Sequence, residues 1–161
     1  MKTCIIFHSH SGITRGVAES IKTACGGELI EVTLKEGHSS PIAYFLGLLR
    51  SMRHTYDPIE PASIDVSSAD VVVIGTPVWT RRATPAITAA VQALTGCNGK
   101  KAVLFATCGA VAGETLPILA EALTAKGMII AGQCVFTRQD IDDEDRVNAL
   151  IFRIMETGSE L

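Results

Sequence analysis

The sequence predicts an α/β fold of three layers, a parallel β-sheet covered by helices on both faces. Short runs of β-branched and aromatic residues recur without polar alternation, as in strands buried on both sides. Stretches with apolar residues at helical spacing lie between them. Strand and helix alternate, which demands right-handed crossovers and parallel strands. At 161 residues the chain has the length of one domain and can bury a core without disulfides or metals. Residues 1–161 are therefore expected to form a single domain.

Thr3 to Phe7 is the first strand. His8 to Gly12 breaks the pattern with small polar residues, and Ile13, Val17, Ile21 and Ala24 then share a helical face that Gly26 and Gly27 end. Leu29 to Leu34 reads as the second strand, with Ile30 and Val32 alternating against Glu31 and Thr33. Val71 to Ile74, introduced by Asp70 and closed by Gly75, is the third. Thr84 and Pro85 start the next helix, a capping hydroxyl followed by proline at the first helical position, and Ile87, Val91 and Leu94 continue its face. Lys101 to Thr107 and Met128 to Phe136 are the fourth and fifth strands, separated by a helix carrying Leu116, Leu119, Ala120 and Leu123. Val147, Leu150, Ile151 and Ile154 mark a closing helix, and the acidic run Asp140 to Asp145 favours its start, where the helix dipole attracts negative charge. Between Lys35 and Ala69, Tyr44 to Met52 has helical spacing, which predicts a loop–helix–loop insertion. It serves as a lid, as a partner surface, or simply packs Phe45, Leu48 and Leu49 on the sheet.

A formal charge of −3 lacks the dense basic face that bulk nucleic-acid binding requires. Five cysteines, with no Cys-x-x-Cys pair, fit neither a disulfide framework nor a zinc site, and free thiols in a reducing cytosol are the simplest reading. The apolar run Cys4 to Phe7 is too short for a signal peptide, and no stretch has the length of a membrane span. The expectation is a cytoplasmic protein without nucleic-acid or membrane partners. The residues set no oligomeric state.

Ligands of such sheets bind beyond the carboxyl ends of the strands, at the topological switch point. This directs attention to the loops beginning at His8, Gly75 and Thr107. Ser9-His10-Ser11-Gly12-Ile13-Thr14 offers hydroxyls and backbone N–H groups at a helix N-terminus, an anion site. Without lysine it cannot be a Walker A loop, Gly96 to Lys101 has the wrong spacing and precedes a strand, and G-x-G-x-x-G is absent. The loop suits a phosphate monoester held by neutral donors; taken alone, it serves equally well as a serine-rich helix cap. A response regulator would carry acidic residues where His8, Ser9 and His10 stand. Trp79, the only tryptophan, follows Gly75-Thr76-Pro77-Val78. Outside the core pattern, its ring wants an apolar partner: a flat heteroaromatic ligand or a hydrophobic helix.

Ser-x-Ser-Gly-x-Thr after strand one, Gly-Thr-Pro-Val-Trp after strand three and Ala106-Thr107-Cys108-Gly109 after strand four, in that order and spacing, together resemble the flavodoxin family of the short-chain type. The resemblance covers the chain to about Phe136. It implies a flavodoxin-like three-layer sandwich with five parallel strands in the order 2-1-3-4-5, and FMN as the cofactor. It implies that Ser9, His10, Ser11, Gly12, Ile13 and Thr14 hold the FMN phosphate. Thr76, Pro77, Val78 and Trp79, with Thr80 beside them, would line one side of the isoalloxazine. Thr107, Cys108, Gly109 and Gly113 would contact its other edge and pyrimidine end. In this family the protein tunes the flavin by stacking, hydrogen bonds and charge and adds no acid–base residues, so no catalytic side chain is expected.

Arg81 and Arg82 depart from the pattern, standing where small or acidic residues are usual, in a chain less acidic than typical flavodoxins. Two guanidinium groups would favour the anionic reduced flavin and could attract NADPH; pointing into solvent they would do little. His8 and His10 lack a clear third metal ligand, Cys108 lacks the arginine spacing of a phosphatase loop, and the acidic run lacks the calcium-loop spacing. The leading expectation is an FMN-binding electron-transfer protein serving redox partner proteins. The alternative is an FMN-dependent NAD(P)H oxidoreductase acting on quinones or similar small acceptors. A binding module with no redox role is the third reading.

Overall fold

The computed structural model describes residues 1–35, 58–141 and 143–159. The expected helix over 44–52 lies outside these residues. Five strands form the main sheet: β1 Thr3–Phe7, β2 Glu28–Glu31, β3 Val71–Trp79, β4 Lys101–Thr107 and β5 Ile129–Phe136. All their pairings are parallel, in the order 2-1-3-4-5. Among the described residues four helices flank them: α1 Ile13–Cys25, α2 Pro85–Ala93, α3 Thr115–Ala125 and α4 Glu144–Ser159.

The sheet separates two cores. On one face Ile5, Phe7, Val73 and Phe105 pack against Val17, Ala18 and Ile21 of α1 and Leu150 and Ile154 of α4. On the other, Cys4, Ile6, Val72, Ile74 and Leu104 pack against α2 and α3 through Ile87, Val91, Leu116, Leu119 and Leu123. Strands β1, β3 and β4 are buried almost throughout because side chains of both parities meet helices. The helix after β1 and the helix after β3 thus leave on opposite faces, which opens a crevice between the carboxyl ends of these two neighbours.

Several local expectations are met residue by residue. Thr84 caps α2, its hydroxyl accepting from the Ile87 N–H, with Pro85 at the first turn. Gly26, at φ 70°, closes α1 through its N–H to the Lys22 carbonyl. Glu144 and Asp145 occupy the first turn of α4.

Others need correction. The buried face of α1 is Thr14, Val17, Ala18 and Ile21, whereas Ile13 and Ala24 are exposed. The stripe is rotated because Thr14 is drawn inward by a hydroxyl partner on β4, Thr107. The second strand ends at Glu31 and resumes at Thr33–Leu34, which pairs antiparallel with Ile59–Glu60. Between the two, Val32 donates its N–H to the carbonyl of Phe7, the last residue of β1. The third strand does not close at Gly75 but runs to Trp79. Pairing with β4 continues to Pro77↔Thr107 after β1 has ended at Phe7↔Gly75, so the missing N–H of Pro77 costs no bond to β1.

Gly75 is held to its identity by space. A Cβ there would lie 2.2 Å from Cζ of Phe105, a ring buried in the core and set edge-on to Phe136. Gly75→Ala is expected to destabilise the fold by roughly 1–3 kcal/mol, the usual range for overpacking, read as a lowered midpoint in urea unfolding with an unchanged slope.

Candidate functional site

The carboxyl ends of β1, β3 and β4 bring the three predicted loops together. His8, the first residue past β1, donates its N–H to the Gly75 carbonyl at 3.3 Å. Its ring nitrogen Nδ1 lies 2.7 Å from the Val32 carbonyl oxygen. A carbonyl can only accept, so Nδ1 carries the proton. His8 is therefore tied to the strand on each side of β1.

The loop that follows is organised by one hydroxyl. Ser9 Oγ accepts from the Gly12 N–H at 3.1 Å and from the Arg15 N–H at 3.3 Å. Gly12, the N-cap residue of α1, takes the left-handed conformation at φ 90° and has no side chain of its own to cap the helix. The backbone N–H groups of Ser11, Ile13 and Thr14 donate to no acceptor among the described residues. The first turn of α1 holds no acidic residue, and the nearby Arg15 guanidinium is engaged by Glu31 at 2.6 Å. Unpaired donors thus converge at the positive end of a 13-residue helix, an arrangement that awaits an anion. Thr14 sits beneath the loop, fully buried, with its hydroxyl 2.8 Å from that of Thr107. This pair joins the loop after β1 to the end of β4.

Trp79 terminates β3 instead of standing in a free loop. Its ring lies 6.0 Å from that of His8 and 5.7 Å from that of His10, nearly perpendicular to both. The indole therefore stands directly beside the anion-binding loop. The Thr76 hydroxyl is spent inside the protein, donating to the Pro77 carbonyl and accepting from the Thr84 N–H. Of this segment Pro77, Val78 and Trp79 retain partial exposure and Thr80 is exposed. Trp79 pairs with Arg82 across a two-residue turn in which Thr80 (φ 49°) and Arg81 (φ 65°) are both left-handed. Such a turn favours asparagine and glycine, and two longer residues there carry backbone strain. The loop after β4 abuts this turn: a Cβ on Gly113 would lie 2.6 Å from the Arg81 Cβ.

Cys108 begins that loop, half-buried, its N–H bonded to the Phe136 carbonyl. Burial, then the Asp140 carboxylate, push its thiol above the ordinary range, which makes it a poor nucleophile. Gly109 is exposed. Asp140 accepts from the Thr137 hydroxyl at 2.7 Å and its N–H at 2.8 Å, and from Arg146 at 2.8 Å. These bonds, the Thr137 hydroxyl foremost, hold its carboxyl below the usual range. Among the described residues no cluster of three His, Cys, Asp or Glu side chains could hold a metal ion.

The residue that sequence reasoning undervalued is His8, weighed only as a metal ligand. Its position directly after a buried strand, at the switch point, was the available signal.

This fold and site define a flavodoxin-like FMN-binding protein. The chain belongs to the family described as NADPH-dependent FMN reductase, whose model matches residues 1–140. No curated protein matches it in sequence. Among solved structures it is similar to a putative flavoprotein from Bacteroides eggerthii (22% identity, 96% of this chain and 98% of that one, TM-score 0.73). It is similar also to a flavoprotein in complex with FMN from Lactobacillus acidophilus (23%, 89% and 98%, 0.66). A third is the two-electron reduced flavodoxin of Megasphaera elsdenii (17%, 99% and 99%, 0.60). At these identities the likeness concerns the fold. The family's cofactor is FMN and its described reductant NADPH, and the neutral donors at the α1 terminus fit a phosphate monoester.

Because the Asp140 carboxyl lies below its unfolded value, its bonds stabilise the fold above the ordinary carboxylate range, near pH 4, and lose that contribution as pH falls through the lowered value. Thermal unfolding followed from pH 7 to pH 2 is expected to show a smaller acid-induced fall in Tm for Asp140→Asn than for the parent, with the variant less stable at neutral pH.

Proposed function

We propose that residues 1–161 act as one flavin-binding domain that draws reducing equivalents from NAD(P)H and passes them to a small acceptor such as a quinone. The observation that carries this reading is the set of unpartnered N–H groups on Ser11, Ile13 and Thr14 with an indole beside them. In it Ser9 keeps the loop in shape, and Ser11, Gly12, Ile13 and Thr14 grip the FMN phosphate with His10 at the rim. Trp79, Pro77 and Val78, with Thr80 behind them, wall one side of the ring. Thr107, Cys108 and Gly109 form the other edge. Gly113 and Thr76 act behind this surface, the first by admitting the Arg81 turn and the second by aiming α2. Bound there, FMN supplies the electron- and hydride-accepting chemistry.

Arg82 supports NAD(P)H as the donor. Directly opposite residues of an antiparallel pair project from the same face, so Arg82 emerges on the side of the Trp79 indole. Neither the Arg81 nor the Arg82 guanidinium has an ion pair or hydrogen bond with a described residue, and a guanidinium so placed can take a phosphate in a bidentate manner.

A second reading, an electron carrier between redox proteins, draws support from the flavodoxin likeness over nearly the whole chain. No described helix is long and apolar enough to cross a membrane. The free state of all five cysteines supports a place in the reducing cytoplasm.

The deciding experiment is steady-state NADPH oxidation by FMN-loaded protein with a soluble quinone. The reductase oxidises NADPH quickly without a partner protein, and Arg82→Gln raises the KM for NADPH about fivefold, the scale of a charge-assisted contact at an exposed site. A carrier leaves NADPH untouched until a reductase is added. Separately, Ser9→Ala removes the acceptor shared by two loop N–H groups and is expected to weaken FMN binding about fivefold, as loss of a helix cap does, measured by quenching of FMN fluorescence.

A further inference from the structure

We propose that His8 is a positioning residue: its imidazole, locked to the Val32 carbonyl, is the fixed wall that sets the orientation of the Trp79 indole. The proposal deepens the flavin reading above and rests on it for its consequence, though not for its geometry.

Two bonds immobilise His8. Its N–H reaches the Gly75 carbonyl of β3, and Nδ1–H reaches the Val32 carbonyl beyond β2. The first fixes the backbone and the second fixes the rotation of the ring, so the imidazole has no freedom about its own side-chain bonds. Val32 is itself fully buried and held by the Phe7 carbonyl, so the acceptor is as rigid as the sheet. Trp79 meets this ring edge-on at 6.0 Å and 85°, within the range where T-shaped aromatic pairs attract.

The second imidazole is different. His10 meets the indole at 5.7 Å and 84°, but it is exposed and bonded to no described residue. The indole thus meets one anchored imidazole and one loose one. Of the two, the anchored one is tied by its side chain to the sheet. A wall that must meet a flat ring gains affinity when it is held in place before the ring arrives, because the ordering cost is already met.

The chain's single tryptophan makes the idea testable on the apoprotein. His8→Asn keeps an N–H near the place of Nδ1 for the Val32 carbonyl but brings no ring. His8→Phe keeps a ring but leaves that carbonyl without its donor. The measurements are the emission maximum and anisotropy decay of Trp79, followed by FMN affinity.

His8→Asn is expected to red-shift the emission and speed the decay. It should weaken FMN binding about threefold to tenfold, the scale of one aromatic pair. His10→Asn should change the decay less. In a Trp79→Ala background His8→Asn should cost less than twofold.

Unchanged emission and decay in His8→Asn would overturn the proposal, since His8 would then serve only the Val32 carbonyl. So would a loss of FMN affinity that persists in full without the indole. If neither the parent nor any variant takes up FMN, the flavin reading fails, while the apoprotein fluorescence still decides whether His8 orients Trp79.

Discussion

Strands β1 and β3 are neighbours, yet the helices that follow them leave on opposite faces of the sheet. The gap this creates at their carboxyl ends is the constraint on which the rest of the molecule depends. A parallel strand cannot turn back on itself, so each must hand the chain to a crossover. Where two adjacent crossovers diverge, neither of their helices covers the space above the strands. The free N–H groups of α1 and the ring of His8, both delivered by β1, and the indole of Trp79, delivered by β3, all stand around that space.

The loop before α1 presents neutral donors and carries no lysine or arginine of its own. Arg15, the nearest guanidinium in sequence, is turned to Glu31, and the loop relies on backbone N–H groups arranged by the Ser9 hydroxyl. This suits a ligand whose phosphate must be held without fixing a counter-charge beside a redox-active ring. Positive charge appears further out, on the Arg81–Arg82 hairpin. There the chain accepts two consecutive left-handed residues, and Gly113 omits a side chain to let that turn approach. Two loops distant in sequence are thereby fitted to one another at the rim.

Much of this was legible in advance for a simple reason. Strands buried on both faces leave unbroken apolar runs, and Thr3–Phe7 and Lys101–Thr107 carry that mark end to end. Thr84-Pro85 and Gly26 announce helix ends through chemistry that needs no partner from elsewhere. The misjudged places are those where a distant group intervenes. Thr14 turns inward because Thr107 is there to receive it, and Gly75 continues a strand because Phe105 fills the space of its missing side chain.

By itself the sequence determined the class of fold, the order of its elements and the place of a loop rich in neutral donors. Those follow from local periodicity, from capping chemistry and from the absence of charge, all of which operate within a few residues. Only the tertiary structure decided that Trp79 ends a strand, that the Thr76 hydroxyl is bonded within the protein, and that His8 is bonded on both sides of β1. Each of those roles depends on a hydrogen bond or ring contact between segments that meet across the switch point. Spacing along the chain does not encode such meetings; the packing of the sheet creates them.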